Sequence, residues 1–110
     1  MVMTDEITKI KDIIIKAVPA ERVYLFGSHA YGSPSDDSDY DIYVVVPNGI
    51  IRPLDAVGNI YMAMRGLKRR PADILAGTSE TFERRSKQQT LERTIIEKGV
   101  LLYERREQPS

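Results

Sequence analysis

The segment DYDIYVVV at residues 39–46 constrains the fold of this 110-residue chain most strongly. Its apolar, β-branched residues predict a strand, which ends at Pro47 and the turn pair Asn48–Gly49. Aspartate is depleted in strands, yet Asp39 and Asp41 stand two residues apart and therefore share a face, with Cβ atoms about 6–7 Å apart. Two carboxylates held this close repel each other, which raises the pKa of at least one of them unless a cation compensates the charge.

Helices and strands alternate along the rest of the chain. The first predicted elements are a helix behind Thr4 or Asp5 that ends before Pro19, a strand over 22–26, and a loop or short helix. They are followed by the strand over 39–46, a helix from Pro53 and a strand over 72–76. The last elements are a charged helix after Thr78 or Ser79, which bends near residues 86–88 and stops at Gly99, and a strand over 100–104. This order predicts an α/β (α+β) fold, a short mixed sheet with helices packed against it. We expect a single domain over residues 1–110, with a frayed tail at 105–110.

Two of these helices carry more detailed expectations. In the helix from Pro53, the apolar positions are expected to form one buried face: Leu54, Val57, Ile60, Tyr61, Met64 and Leu67. In the charged helix, Glu80 and Arg84 are four residues apart, as are Glu83 and Lys87. Such pairs indicate a solvent-exposed face with no further role.

The composition excludes several classes of function. Lys and Arg number 16 and Asp and Glu number 16, so the formal net charge is zero and no overall attraction to nucleic acid or an anionic membrane is expected. The chain contains no cysteine, which excludes disulfides and thiolate metal sites. Charges interrupt the N-terminal apolar residues every few positions. We therefore expect neither a signal peptide nor a membrane span, and a cytoplasmic location.

The paired aspartates indicate a divalent cation. Asp39 and Asp41 offer hard oxygen ligands, which favour Mg²⁺ or Mn²⁺ over Zn²⁺. Mg²⁺ typically takes one or two carboxylates and fills the rest of its octahedron with water and phosphate oxygens. A phosphate site is therefore expected nearby.

Gly27 and Ser28 can provide that phosphate site. A strand that ends in glycine can turn sharply, and Ser28 with the following backbone N–H groups can donate hydrogen bonds to an anion. Gly32, four residues later, allows the chain to approach the phosphates closely or to leave the turn. No Gly-Lys-Ser/Thr follows, so the turn is not the phosphate loop of P-loop NTPases.

Asp73 is a candidate third carboxylate. If the strand over 72–76 pairs beside the strand over 39–46, Asp73 reaches the same cluster as Asp39 and Asp41. Three carboxylates around two metal ions about 3.5–4 Å apart are the arrangement for in-line nucleotidyl transfer. One ion lowers the pKa of the attacking hydroxyl and the other holds the triphosphate, while Asp73 helps to activate the nucleophile.

The same residues resemble a known signature. Gly27–Ser28, ten intervening residues and Asp39–Tyr40–Asp41 resemble the GS-x10-D-x-D motif of the minimal nucleotidyltransferases of the polymerase β superfamily. The later segments PADIL and TLERTIIEKGVLLYE are similar to the family's core, in order and at fitting distances. The resemblance implies a polymerase β-like nucleotidyltransferase fold, a triphosphate held by Gly27 and Ser28, and ATP as substrate. It also implies Mg²⁺ or Mn²⁺, as two ions, on Asp39, Asp41 and Asp73.

The family also suggests a partner. Its members are often antitoxins encoded beside a small all-helical HEPN toxin, an RNase, and some transfer AMP from ATP to a tyrosine of that toxin. The resemblance therefore implies a protein adenylyltransferase that acts as an antitoxin on a HEPN-type partner. The chain has little left to enclose a nucleobase and present an acceptor, so a helical protein or a second copy is expected to complete the site.

Several alternatives stay open at this point. The chain can be a non-catalytic antitoxin that binds a helical partner, or a transferase for a small molecule such as an aminoglycoside. His29 is interpreted as a surface residue with a possible catalytic role, and position 31, basic in many relatives, is Tyr31 here. Asp36 and Asp37 are expected to be solvated turn residues, and the basic run Lys68–Arg70 a solvated helix end that can also steer phosphate.

Overall fold

The computed structural model describes residues 4–32, 39–67 and 72–106. Its elements, in chain order, are α1 (Asp5–Ala17), β1 (Arg22–Phe26), α2 (Ser28–Tyr31), β2 (Tyr40–Val46), α3 (Pro53–Ala63), β3 (Ala72–Thr78), α4 (Ser79–Arg85), α5 (Leu91–Lys98) and β4 (Val100–Glu104). The predicted alternation is confirmed, and the bend expected near residues 86–88 is a break between α4 and α5. The predictions for Asp36, Asp37, Lys68–Arg70 and residues 107–110 lie outside the described residues.

The four described strands form one mixed sheet in the order β3-β2-β1-β4. β1 pairs antiparallel with both β2 and β4, whereas β2 and β3 run parallel. The parallel pair requires a crossover, which α3 provides. β2 therefore lies between β3 and β1, and from Ile42 to Val46 every one of its side chains is buried. The uninterrupted apolar run in the sequence matches a strand that is covered on both faces.

The larger part of the core lies between one face of the sheet and the helices α1 and α3. Ile7, Ile10 and Ile14 of α1 recur at helical spacing and are buried there. The hydroxyl of Thr4 accepts a hydrogen bond from the Ile7 N–H at 3.2 Å and caps α1, as its position predicts. Within the described ranges, no helix has the length and apolar composition that crossing a membrane requires.

A smaller cluster covers the opposite face of the sheet. Tyr24, Tyr43 and Val45 point to this side, where Phe82 of α4 and Ile95 of α5 pack over them. The rings of Phe82 and Tyr24 are stacked with centroids 5.4 Å apart. Because side chains alternate along a strand, Asp41 lies on the same face as Tyr43, and we call this face the site face.

The prediction that Leu54 belongs to the buried face of α3 is wrong. Leu54 is 80% exposed, whereas Ala56, Ile60 and Met64 are fully buried. These three residues follow one another at intervals of four and therefore lie in one line along the helix. Leu54 is two residues from Ala56, which corresponds to a rotation of about 200° around the helix axis. The helix also ends at Ala63, earlier than the apolar pattern to Leu67 predicted.

Replacement of glycine by alanine is expected to change stability in opposite directions at two positions. A Cβ at Gly77 collides with the Tyr43 hydroxyl and lies 3.3 Å from Cζ, so Gly77→Ala is expected to lower the free energy of unfolding by about 1–3 kcal/mol. A Cβ at Gly58, inside α3, meets nothing within 4 Å. Gly58→Ala is therefore expected to raise this free energy by about 0.5–1 kcal/mol, because alanine favours the helix. Urea unfolding of both variants measures the two signs; a neutral Gly77→Ala would contradict the close packing of Tyr43.

Candidate active site

Parallel pairing of β2 and β3 brings two of the predicted site residues side by side. Asp41 and Asp73 are Cα partners in the register of the two strands, so their backbones are about 4.8 Å apart. Asp39 precedes β2 by one residue and is exposed, as is Asp73. The predicted pairing of these strands is confirmed, and it gathers Asp39, Asp41 and Asp73 at one end of the site face. We call these three residues the aspartate cluster.

The electrostatics of the cluster centre on Asp41. Burial raises the pKa of Asp41 above its usual 3.8, and the charges of Asp73 and Asp39 raise it further, whereas His29 lowers it. The backbone thus holds the Asp41 carboxylate within reach of two like charges. Such a group of hard oxygen donors fits the chemistry of Mg²⁺ or Mn²⁺. In the described ranges, no group of three or more His, Cys, Asp or Glu side chains is placed so that it could hold a metal ion.

Gly27 closes the site next to Asp41. It has φ 75° and ψ −160°, a backbone conformation that favours glycine, and it directly precedes α2. A Cβ at this position collides with Oδ2 of Asp41 and lies 3.0 Å from Cγ. Both the backbone conformation and the contact with the carboxylate therefore require glycine here. The register agrees, because Phe26, the last residue of β1, pairs with Asp41.

Residues 27–32, which we call the phosphate turn, form one helical turn at this end of the sheet. The N–H of Tyr31 donates to the Gly27 carbonyl at 3.0 Å, and the N–H of Gly32 donates to the Ser28 carbonyl at 3.1 Å. Gly32 has φ 93° and ends the turn in the left-handed region, one of the two uses predicted for it. Ser28 is the first helical residue, where helices leave N–H groups without intrahelical partners. Such N–H groups can donate hydrogen bonds to an anion.

His29 is half-buried, in contrast to the surface position that its sequence context suggested. Its ring packs against the ring of Tyr40, with centroids 4.2 Å apart and planes 43° apart. Tyr40 stands between Asp39 and Asp41 in the chain, and its side chain belongs to the core on the opposite face. His29 therefore contacts the strand that carries the cluster. Tyr31 is 44% exposed.

The sequence interpretation missed a buried polar network beside the cluster. Glu92 of α5 is only 7% exposed, although most of the charge on the helix after Thr78 was expected to face solvent. The Tyr43 hydroxyl donates to Glu92 Oε2 at 3.1 Å, and Arg85 Nε lies 3.0 Å from Glu92 Oε1. Burial raises the pKa of Glu92, but hydrogen bonds from its own backbone, Arg85 and Tyr43 outweigh this and lower it overall. The network fixes α4 and α5 to the site face, two residues along β2 from Asp41.

One sequence signal could have pointed to this network. Tyr43 interrupts the aliphatic run from Ile42 to Val46, and a buried tyrosine hydroxyl usually finds a partner. The identity of that partner was not predictable, because Glu92 lies 49 residues away in the chain. Burial of the hydroxyl and the nearby Glu92 charge also raise the pKa of Tyr43 far above its usual value, so it stays protonated.

Comparison with known families finds one match that spans nearly the whole chain. The sequence model of the family described as polymerase beta, nucleotidyltransferase, matches residues 8–108. No curated protein sequence matches the chain significantly.

Solved structures with the same fold include three informative relatives. A candidate nucleotidyltransferase from Sulfolobus solfataricus has a TM-score of 0.61 at 24% identity, covering 89% of this chain and 77% of that one. A second structure is a mutant of the toxin–antitoxin complex MntA–HepT, in which two aspartates are replaced by glutamate. It has a TM-score of 0.53 at 16% sequence identity, and the match covers 88% of this chain and 72% of that one. A third, a toxin–antitoxin structure with AMP-PNP, has a TM-score of 0.51 at 18% sequence identity, and the match covers 93% of this chain and 75% of that one. At these identities the likeness establishes the fold.

The raised pKa of Asp41 predicts a pH-dependent cost to stability. A carboxyl group with a raised folded-state pKa favours folding fully below the unfolded value, near 3.8, and this contribution is lost as the pH rises through the folded value. Asp41→Asn removes the charge. We therefore expect it to raise the free energy of unfolding at pH 7, by an amount that shrinks as the pH falls toward 3.8.

A matched control is Asp55→Asn on α3. Asp55 accepts a hydrogen bond from Arg52 Nε at 2.9 Å on the surface, so its loss is expected to destabilise the protein by a few tenths of a kcal/mol. Urea unfolding between pH 4 and pH 8 compares the two variants. Destabilisation by Asp41→Asn at pH 7 would show that the Asp41 charge is already compensated.

Proposed function

This chain belongs to the polymerase β nucleotidyltransferase family, and from that premise we propose that it transfers AMP from ATP to a tyrosine hydroxyl of a small helical HEPN-type toxin, acting as its antitoxin. The observation that carries the proposal is the register of β2 and β3, which sets Asp41 beside Asp73. Gly27 of the phosphate turn lies against the same Asp41 carboxylate. A triphosphate on the turn is thereby next to the carboxylates.

We assign each site residue a role that fits its position. Asp39, Asp41 and Asp73 would hold two Mg²⁺ or Mn²⁺ ions, whose charge would offset the burial and the repulsion that raise the pKa of Asp41. Bound ions of this kind lower the pKa of an attacking hydroxyl and neutralise charge on the triphosphate. The Ser28 hydroxyl and the N–H groups of the phosphate turn donate to phosphate oxygens, and Gly32 lets the chain leave the turn.

The transfer itself needs one acceptor for a proton. The acceptor oxygen attacks the α-phosphorus in line, a bond forms between them, and the bond to the bridging oxygen breaks, so that pyrophosphate leaves. The proton of the acceptor hydroxyl passes to a carboxylate oxygen of Asp73, which is exposed on the edge strand β3. An acceptor approaching from outside the sheet meets Asp73 before Asp41, which is half-buried.

The structural relatives support the choice of partner. Two of them are toxin–antitoxin structures; AMP-PNP, an ATP analogue, is present in one, and two aspartates are replaced in the other. Those descriptions apply to the relatives, and we carry them to this chain as a proposal. A cytoplasmic location fits a partner of this kind.

Metal binding can be tested without any acceptor. We expect added Mg²⁺ or Mn²⁺ to raise the unfolding temperature in a concentration-dependent way, because an ion that binds only the folded state stabilises it. Asp41→Asn is expected to abolish the rise, and Asp55→Asn to preserve it. Differential scanning fluorimetry with an EDTA baseline measures the shifts. A rise of the same size in Asp41→Asn would assign the ions to another part of the protein.

Activity is tested by label transfer from ATP. The purified chain is incubated with Mg²⁺, α-labelled ATP and either lysate of its source or a purified small helical partner. We expect a labelled protein band, and about a 100-fold or larger loss in the Asp39→Asn/Asp41→Asn double variant, because both carboxylates act on the reacting phosphates. Asp55→Asn serves as the active control, and phosphodiesterase treatment with tyrosine mapping identifies the linkage.

The other outcomes assign the alternative functions. If none of the four labelled nucleotides is transferred, while a helical partner co-purifies equally with wild type and double variant, the chain is a non-catalytic antitoxin. If label appears only on an added aminoglycoside or other small hydroxyl compound, the protein is a small-molecule nucleotidyltransferase.

A further inference from the structure

The phosphate turn contacts the start of β2 on both faces of the sheet. On the site face, the Cα of Gly27 lies against the carboxylate of Asp41. On the opposite face, the ring of His29 packs on the ring of Tyr40 at a centroid distance of 4.2 Å. Two contacts on opposite sides of one strand fix the turn more closely than either contact alone, because each blocks the motion that the other allows.

Tyr40 is a firm support for this contact. Its side chain is 8% exposed and belongs to the core that α1 and α3 cover. Its backbone is held on one side by β3, where it pairs with Ala72. The ring of Tyr40 is therefore fixed by the bulk of the fold, and His29 connects the four-residue helix α2 to it.

The tyrosine also has a special place in the chain. It is bonded directly to Asp39 and Asp41, so a displacement of its backbone also shifts both of these residues. His29 is likewise next to Ser28, the expected phosphate ligand. The ring pair thus joins the residue beside the phosphate ligand to the residue between two metal ligands.

From this geometry we propose that His29 is a positioning residue, whose ring on Tyr40 sets the distance between the phosphate turn and the aspartate cluster. The inference rests on the proposed nucleotidyl transfer and names a residue that acts on it through another side chain. The required property is a flat ring that fills the space over Tyr40. Neither a proton nor a charge on the imidazole is needed for that role.

A second explanation must be separated from this one. His29 lies close enough to Asp41 to influence its ionisation, so it can also act through its charge. The two roles predict different results for phenylalanine, which keeps the ring and removes the charge. Tyr40→Phe keeps the ring on the other side of the contact, and His29→Ala and Tyr40→Leu each remove one ring.

Steady-state label transfer gives the first test. We expect His29→Phe and Tyr40→Phe to stay within about three-fold of wild type in kcat, and His29→Ala and Tyr40→Leu to lose about 10- to 100-fold, with the KM for ATP changed less than three-fold. A misplacement of reacting groups by about 1 Å has an effect of this size on the chemical step. The double variant His29→Ala/Tyr40→Leu is expected to be no worse than the more impaired single variant, because both remove one contact.

Backbone amide shifts give a second test that needs no activity. In nucleotide-free protein labelled with ¹⁵N, His29→Ala and Tyr40→Leu are expected to move the amide signals of Gly27 and Ser28 in the same direction. His29→Phe is expected to leave them near their wild-type positions. Dispersed spectra and thermal unfolding verify that each variant is folded.

The outcomes separate the inference from the proposed function. If the wild type transfers nucleotide and His29→Phe is as impaired as His29→Ala, the imidazole acts by its charge or its protons and the inference is wrong. It is equally wrong if His29→Ala is fully active or leaves the Gly27 and Ser28 amides unmoved. Absence of transfer by the wild type would refute the proposed function, while the amide shifts would still decide whether the ring contact sets the turn.

Discussion

The parallel pairing of β2 with β3 is the constraint on which the rest of the structure depends. It sets Asp41 beside Asp73 by backbone hydrogen bonds, against the repulsion of the two carboxylates. Burial raises the pKa of Asp41, and the charges of Asp73 and Asp39 raise it further. The apolar packing of β2, buried from Ile42 to Val46, offsets this unfavourable term. Stability in the core thus supports a local arrangement that is unfavourable in itself, as is common at functional sites.

The residues that set this arrangement were largely predictable from the sequence. The strands at 22–26 and 100–104 have the predicted bounds, because a short apolar or aromatic run between turn residues leaves few alternatives. Thr4 and Thr78 cap helices as predicted, since the cap depends only on a hydroxyl and the next three residues. The position of Asp73 beside Asp41 required one further assumption, the pairing of two strands. Which side chains bind metal or nucleotide stays a prediction.

The features that sequence reasoning missed depend on contacts between distant segments. Glu92 has the local signature of an exposed helical charge, and only Tyr43 and Arg85, brought together by the fold, make its burial favourable. Leu54 fits the apolar pattern of α3 but lies on the side away from the sheet. The environment of His29 was not predictable for the same reason, because Tyr40 comes into contact with its ring only when the chain returns along β2. Periodicity reports which face is apolar, and it carries no information about which distant group will meet that face.

Two glycines show how the site face accommodates both chemistry and support. Gly27 leaves space for the carboxylate of Asp41, and Gly77 leaves space for the hydroxyl of Tyr43. Asp41 and Tyr43 are successive residues on one face of β2, and each lies against a glycine of the neighbouring segment, which has no Cβ. The side chains of β2 can therefore lean over the adjacent segments, Asp41 toward the phosphate turn and Tyr43 over β3 toward Glu92. The strand thereby separates two tasks along its length, because Asp41 faces the expected ligands while Tyr43 fixes the helices that border them.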